Sequence, residues 1–272
     1  MLAVACLSLT ACDTETPSPT GTTDPAGPKP EPHTVTGIVV DTNGQPMAGV
    51  KVRADNSTLY GSAEVTTGAD GRYTLPRLEI GGWKVYAWKE VSYKGHVYQL
   101  RMGMNTVADY NAFSPGESGA VKNFKWLLSG TIPDRPQQAH SSSGYFGGAL
   151  RFANMDQNFA FIPRGTEVTI TFTPVAGAKH FDGSAAQVIR KTFTIGESSQ
   201  INYWLPDIPQ AEYRITAESS LNGVRRTVLL TESLSRGFAP AIENFYFLPA
   251  SRSYESGLLG PENTPFFMQQ QQ

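Results

Sequence analysis

The chain has 272 residues, of which 17% are charged, and its 22 basic and 24 acidic side chains leave a formal net charge of -2. This balance gives no positive field of the kind that holds a polyanion, so we expect no nucleic-acid partner. Four His and two Cys exclude a cysteine-rich zinc site and a disulfide framework.

The first twelve residues, MLAVACLSLTAC, are almost wholly apolar. This segment is too short to cross a bilayer as a helix but has the length of the apolar region of a signal peptide. Its end, Leu9-Thr10-Ala11-Cys12, resembles the lipobox of bacterial lipoproteins, which implies that Cys12 becomes lipid-modified and N-terminal. The alternative is an ordinary cleaved signal peptide with Cys12 incidental. No Lys or Arg precedes the apolar run, which suggests a natural start upstream of Met1.

Residues 13–33 contain six prolines and a single aliphatic side chain, Ala26. Such a segment cannot bury apolar surface, so we expect a disordered, solvated tether. Together with the lipobox it predicts an exported protein of the bacterial cell envelope. The membrane would be a partner through the lipid anchor, on the periplasmic or the cell-surface face.

From residue 34 onward short strands alternate with turns, and no stretch has helical periodicity. Four consecutive motifs stand out, namely Val35-Thr-Gly37-Ile-Val39-Val-Asp41, Gly44-Gln-Pro46-Met-Ala-Gly49-Val-Lys-Val52, Thr67-Gly-Ala-Asp70-Gly71-Arg-Tyr73-Thr-Leu75 and Gly81-Gly-Trp83-Lys-Val85-Tyr-Ala87. They resemble the carboxypeptidase regulatory-like family, whose members are small transthyretin-like β-sandwiches. The resemblance implies one such domain over residues 34–129 and says little about function. Residues 93–118 have no counterpart in this pattern and suggest a long hairpin, turning at Lys94-Gly95, or a lid.

The second half of the chain repeats the first. Residues 73–87 align without a gap on residues 203–217, and residues 120–127 align on residues 241–248, with matches at alternate apolar positions and at turns. We therefore predict an all-β fold with two tandem transthyretin-like or immunoglobulin-like β-sandwiches. The second would span 144–250, after a linker at 130–143 and before a loose C-terminal tail at 251–272.

No catalytic motif is present. None of the four His (His33, His96, His140, His180) begins an H-x-x-E pair, and H-E-x-x-H, G-x-S-x-G, a P-loop and G-x-G-x-x-G are all missing. We therefore expect no enzyme, no catalytic residue and no cofactor, although a Ser, His and Asp could still converge near His180 and Asp182.

Several acidic and amide side chains lie in predicted turns, where oxygen ligands could hold calcium: Asp41, Asn43, Asp55, Asn56, Asp70 and Asp182. Turn formation alone explains each of them, because Asp and Asn bind their own backbone, so we expect no metal site. Asn56-Ser57-Thr58 matches a glycosylation acceptor, a modification we do not expect in a bacterial lipoprotein.

The strand that starts at Trp83 offers a candidate ligand-binding face. Alternation directs Trp83, Val85 and Ala87 inward, so Lys84, Tyr86 and Trp88 should point outward. Exposed Tyr and Trp rings could stack on a sugar ring or contact a protein. The alternative is that residues 93–118 or the second sandwich cover them.

Three hypotheses follow for the function. The first is a non-catalytic, envelope-anchored lipoprotein that acts as a binding module or as a structural spacer. The second is a carbohydrate-binding lipoprotein that uses the aromatic rings of the first sandwich. The third is a hydrolase with an unrecognised site. The absence of catalytic motifs favours the first, with envelope polysaccharide or another surface protein as partner.

Overall fold

The computed structural model describes residues 29–135, 144–156, 158–197, 200–249 and 265–271. These residues form seventeen β-strands and one 3₁₀ turn, Val107–Tyr110, so the all-β prediction is confirmed. Within these ranges no helix is long and apolar enough to span a membrane.

The first unit is a sandwich of two sheets. One sheet has the strand order β3-β2-β5-β6, and the other has the order β4-β1-β9-β7 with β8 beside β1. Their inner side chains share one buried core. The strands are β1 Val35–Val40, β2 Lys51–Asn56, β3 Ser62–Thr66, β4 Arg72–Thr74, β5 Trp83–Tyr93, β6 His96–Arg101, β7 Gly103–Met104, β8 Ala120–Val121 and β9 Phe124–Lys125.

The second unit is one continuous sheet in the order β12-β11-β14-β15-β17-β10-β13, with β16 beside β14. The sheet curls around its core, because the two end strands approach each other and the rings of Phe193 and Tyr203 stack at 4.6 Å. Its strands are β10 Gly148–Ala153, β11 Glu167–Pro174, β12 Ile189–Thr194, β13 Asn202–Ile208, β14 Tyr213–Leu221, β15 Val224–Thr231, β16 Ala241–Phe245 and β17 Phe266–Gln270.

The two units share much of their topology. The order β3-β2-β5-β6 corresponds to β12-β11-β14-β15, and the antiparallel pair of β1 and β4 corresponds to that of β10 and β13. Both central hairpins turn on two residues with positive φ, at Lys94-Gly95 and at Asn222-Gly223, as expected for hairpin turns that match the twist of their strands.

The aligned segments 120–127 and 241–248 take different places. In the first unit β8 and β9 pair in parallel with β1, whereas β16 pairs antiparallel with β14. The parallel position beside β10 is filled by β17 instead. The sequence match at these segments therefore reflects similar apolar alternation rather than an equivalent strand position.

The loose tail predicted at residues 251–272 is wrong for residues 266–270. These residues form β17, which is hydrogen-bonded to β15 on one side and to β10 on the other. Phe266 and Met268 are buried in the core at 4% and 0% exposure. Burial of these two side chains and two ladders of backbone hydrogen bonds fix the segment. Residues 251–264 lie outside the described ranges.

The predicted linker at residues 130–143 is also partly wrong. Ile132 is fully buried, and the backbone N–H of Gly130 donates to both carboxylate oxygens of Asp207 at 2.8 and 2.9 Å. Asp207 has a left-handed backbone at φ 62°, which these hydrogen bonds help to hold. Residues 130–135 are therefore part of the folded structure rather than a linker. Residues 136–143 lie outside the described ranges.

Candidate functional site at the junction of the two units

The predicted ligand-binding face on β5 is covered. Tyr86 and Trp88 are only 7% and 4% exposed, and Lys84 is half-buried. The opposite face of the strand is buried as predicted, at Trp83, Val85 and Ala87. Because β5 is buried on both faces over this stretch, the expectation of exposed aromatic rings was wrong.

A buried arginine accounts for the cover over Tyr86. The Arg101 guanidinium lies 5.2 Å from the centroid of the Tyr86 ring and 5.6 Å from that of Tyr110. It also donates to Asp134 at 2.8 Å, and the Lys84 ammonium lies 3.8 Å from the same carboxylate. Burial lowers the pKa of Arg101, and the charge of Asp134 opposes that shift. The cover thus comes from residues 93–118, as the alternative interpretation held, and from Asp134.

The region around His180 and Asp182 does not assemble a nucleophile and a base. The His180 Nδ1 pairs with the carbonyl of Gln210 at 2.9 Å. Asp182 accepts from the hydroxyl of Ser184 at 2.6 Å and from that of Thr42 at 2.7 Å. These hydrogen bonds lower the pKa of Asp182 against the opposing effect of its burial. A hydrolytic triad needs the histidine beside the hydroxyl, and here the imidazole faces a backbone carbonyl.

Several candidate calcium ligands accept backbone N–H groups of nearby residues, whereas Asp55 lies in β2 rather than in the predicted turn and accepts from the Arg53 side chain at 2.7 Å. Asp41 accepts the backbone N–H groups of Asn43 and Gln45, and Asn56 accepts those of Thr58 and Leu59. In the described part of the chain, no group of three or more His, Cys, Asp or Glu side chains is placed to hold a metal ion. The candidate lipidation residue Cys12 lies outside the described ranges.

The most developed constellation of aromatic and charged side chains lies between the two units. We call it the junction cluster, and it consists of Tyr93, His96 and Tyr98 from the first unit with Phe181 and Tyr246 from the second. The Phe181 ring packs edge-on against two tyrosine rings, with its centroid 4.9 Å from that of Tyr98 and 5.5 Å from that of Tyr93. Tyr246 approaches Tyr93 at 5.9 Å and His96 at 6.4 Å. Such edge-to-face packing is favourable because the positive ring edge meets the negative ring face.

Hydrogen bonds and charges reinforce the junction cluster. The hydroxyl of the fully buried Tyr98 donates to the backbone carbonyl of Phe247 at 2.8 Å. Burial raises the pKa of Tyr98, so this hydroxyl keeps its proton. At the rim, Lys94 donates to Glu212 at 2.6 Å and lies 4.8 Å from the centroid of the Tyr246 ring. The hydrogen bond to Glu212 raises the pKa of Lys94.

Sequence reasoning found the hairpin that carries the junction cluster but not its partner surface. The turn at Lys94-Gly95 and the aromatic residues around it lie beyond the last of the four sequence motifs. Phe181 lies in the loop after β11, and Tyr246 follows β16. No local pattern links these loops to the hairpin, because the contact depends on how the units are placed.

Residues 34–112 match the family model of the carboxypeptidase regulatory-like domain. A search of curated proteins found no match. Solved structures similar to this chain include the TIE protein of Bacillus anthracis, at 13% identity over 79% of this chain and 32% of that chain with a TM-score of 0.28. A streptococcal ancillary pilin has 11% identity over 71% of this chain and 57% of that chain with a TM-score of 0.24.

A third similar structure is the shaft pilin SpaA of Lactobacillus rhamnosus GG, at 13% identity over 71% of this chain and 88% of that chain, with a TM-score of 0.24. This chain therefore spans about a third of the first of the three structures and just over half of the second. The family match covers the four motifs of the first unit and ends inside the segment that follows its central hairpin. Residues 34–112 of this chain thus carry a carboxypeptidase regulatory-like domain.

Proposed function

We propose that the chain is a non-catalytic module of the bacterial cell envelope, in which a lipid anchor on Cys12 and a tether carry two β units that act as one binding and spacing body. The disordered tether predicted at residues 13–33 is wrong at its end, because the backbone N–H of His33 donates to the carbonyl of Gly116 and the carbonyl of His33 accepts from Leu78. The tether therefore ends before His33. The observation that carries this proposal is the junction cluster. A spacer must transmit a fixed distance and orientation, and the two units meet through packed aromatic rings, of which Tyr98 is fully buried, and through the buried hydrogen bond of Tyr98.

Domains in one chain usually move against each other unless their interface is large and apolar. Here the two sides are complementary in both packing and charge, since Lys94 pairs with Glu212 at the rim of the aromatic contacts. A buried hydrogen bond such as that of Tyr98 is costly to break without water to replace it. These contacts favour one relative orientation of the units.

The junction can be tested by loosening it. In Phe181→Ala combined with Lys94→Met, we expect the two units to tumble with separate rotational correlation times, whereas in the unmodified protein they share one. The substitutions remove two ring contacts and the rim ion pair, and of the two side chains only the partly buried Phe181 packs against the core. ¹⁵N relaxation of the full chain measures both times, with Tyr60→Ala, a fully exposed ring, as the control. Separate correlation times in the unmodified protein would refute the fixed joint.

The anchor gives a second test. In Cys12→Ala we expect the protein to move from the membrane pellet to the soluble fraction with an unchanged melting temperature, because the acyl chains alone hold it on the bilayer. Cys6→Ala is the matched control and should stay in the pellet, because Cys6 lies in the segment that would be removed. Recovery of Cys12→Ala in the pellet would contradict the anchor.

A further inference from the structure

A groove opens on the second unit between Asp156 and residues 160–163 on one side and the end of β17 on the other. Its volume is about 370 Å³, at the small end of the range of about 300–1,000 Å³ for small-molecule sites. Ile162, Leu229 and Met268 supply apolar lining, while Asp156, Gln269 and Gln271 supply polar lining. We call it the Phe161 groove, after the half-exposed ring that lines it.

The loop beside this groove is strained and firmly held. Phe159 has a left-handed backbone at φ 56°, and its side chain is 69% exposed. The Asp156 carboxylate accepts the N–H groups of Asn158 and Ala160, each at 2.8 Å. Strain of about 1–3 kcal/mol in a non-glycine residue persists only where its surroundings impose it, and such residues concentrate at ligand clamps and other functional sites.

The same loop holds a second aromatic side chain toward solvent. Phe161 is 50% exposed. The next residue is fixed, because the amide side chain of Asn154 both accepts from the N–H of Ile162 at 2.8 Å and donates to its carbonyl at 3.0 Å. A ring kept out of the core by a braced backbone is available to a ligand.

The polar side of the groove is preorganised for hydroxyl groups. The second carboxylate oxygen of Asp156 accepts from Gln269 Nε2 at 3.1 Å, which fixes the orientation of that carboxamide. A carboxamide both donates and accepts hydrogen bonds, as a sugar hydroxyl does. Among the described residues that line the groove there is one carboxylate and no Lys or Arg, so these residues do not complement the charge of a nucleic acid or of an anionic lipid surface.

We propose that the Phe161 groove binds a neutral polysaccharide, with a sugar ring against Phe161 and its hydroxyl groups on Gln269 and Gln271. An exposed ring beside oriented amide groups matches a ligand that has one apolar face and a polar edge. This inference deepens the proposed function by naming a ligand class, and it places the site on the second unit rather than on Tyr86 and Trp88.

The test is affinity electrophoresis of the full chain in native gels that contain dextran, laminarin, xylan or galactomannan. We expect at least one polysaccharide to retard the unmodified protein. The affinity for that polysaccharide should be at least about tenfold weaker in Phe161→Ala. Phe161→Tyr keeps the aromatic ring and should bind as the unmodified protein does. The matched control is Tyr60→Ala, which removes an exposed ring from the first unit and should bind normally.

Two outcomes would overturn this inference: retardation in none of the four gels, or unchanged binding by Phe161→Ala. An unchanged melting temperature in Phe161→Ala separates loss of the ligand contact from loss of the fold. The relaxation and fractionation tests do not involve the groove, so a failure here leaves their results standing.

Discussion

A chain that ends at residue 250 is expected to lose the fold of its second unit. The deletion removes β17, which pairs with β15 and with β10, and so opens two unpaired strand edges in the middle of the sheet. It also removes Phe266 and Met268 from the core. Truncation of a buried Phe or Met side chain costs about 2–5 kcal/mol, so the combined loss is comparable with the about 5–15 kcal/mol that stabilises a domain.

The prediction can be followed in each unit separately. Three of the four Trp, namely Trp83, Trp88 and Trp126, lie in the first unit, and Trp204 lies in β13 of the second. In a background whose only Trp is Trp204, the chain that ends at residue 250 should show the fluorescence of a solvent-exposed indole. Adding a peptide of residues 265–271 should partly restore the signal, since an extended peptide can complete an open sheet edge. A truncated chain with the same cooperative transition would show that β17 is dispensable.

Asp134→Ala is expected to destabilise the first unit by about 3–5 kcal/mol. The substitution leaves the Arg101 side chain, which is 3% exposed, without the carboxylate that it contacts at 2.8 Å. Removal of one partner from a buried ion pair is strongly destabilising because the remaining charge stays out of water. Urea denaturation followed by the fluorescence of the first-unit Trp residues measures the change.

Two companion variants test the cause of this loss. Arg101→Met combined with Asp134→Leu should recover much of the stability, because apolar side chains of similar size often replace a buried ion pair without loss. Glu64→Ala removes a half-exposed partner 3.7 Å from Arg53 and should change the free energy of unfolding by at most about 1 kcal/mol. If Asp134→Ala also changed the free energy of unfolding by at most about 1 kcal/mol, the Arg101 guanidinium would have to reach water despite its burial in the structure.

Local sequence patterns predicted the all-β class and the strand that starts at Trp83. Alternation placed Trp83, Val85 and Ala87 of β5 correctly in the core. The motif glycine Gly37 also has a physical basis, because a Cβ there would clash with the backbone carbonyl of Lys122 and approach the Tyr73 ring at 2.8 Å. The motif therefore marks a close approach of two chain segments, a requirement that only glycine meets.

The same alternation failed on β5 because its second face is covered by residues distant in sequence. Arginine is usually a surface residue. The sequence around Arg101 does not indicate that its aliphatic chain and its guanidinium are buried between Tyr86 and Tyr110. β17 was missed for a related reason. Phe266, Phe267 and Met268 form a short apolar run that ends in glutamines, so the sequence lacks the apolar–polar alternation that marks a half-buried strand.

The position of β17 has a consequence for biogenesis. β17 lies inside the second sheet, between β15 and β10, and it is the last described strand along the chain, whereas its partner β10 is the first strand of that unit. The sheet therefore cannot close until residue 270 is available. A chain that is only partly synthesised or translocated lacks the strand that joins β15 to β10. Pairing of strands so distant in sequence is slow, which keeps the second unit open during synthesis. For the envelope protein proposed above this delay is an advantage, because an exported chain crosses the membrane before it folds.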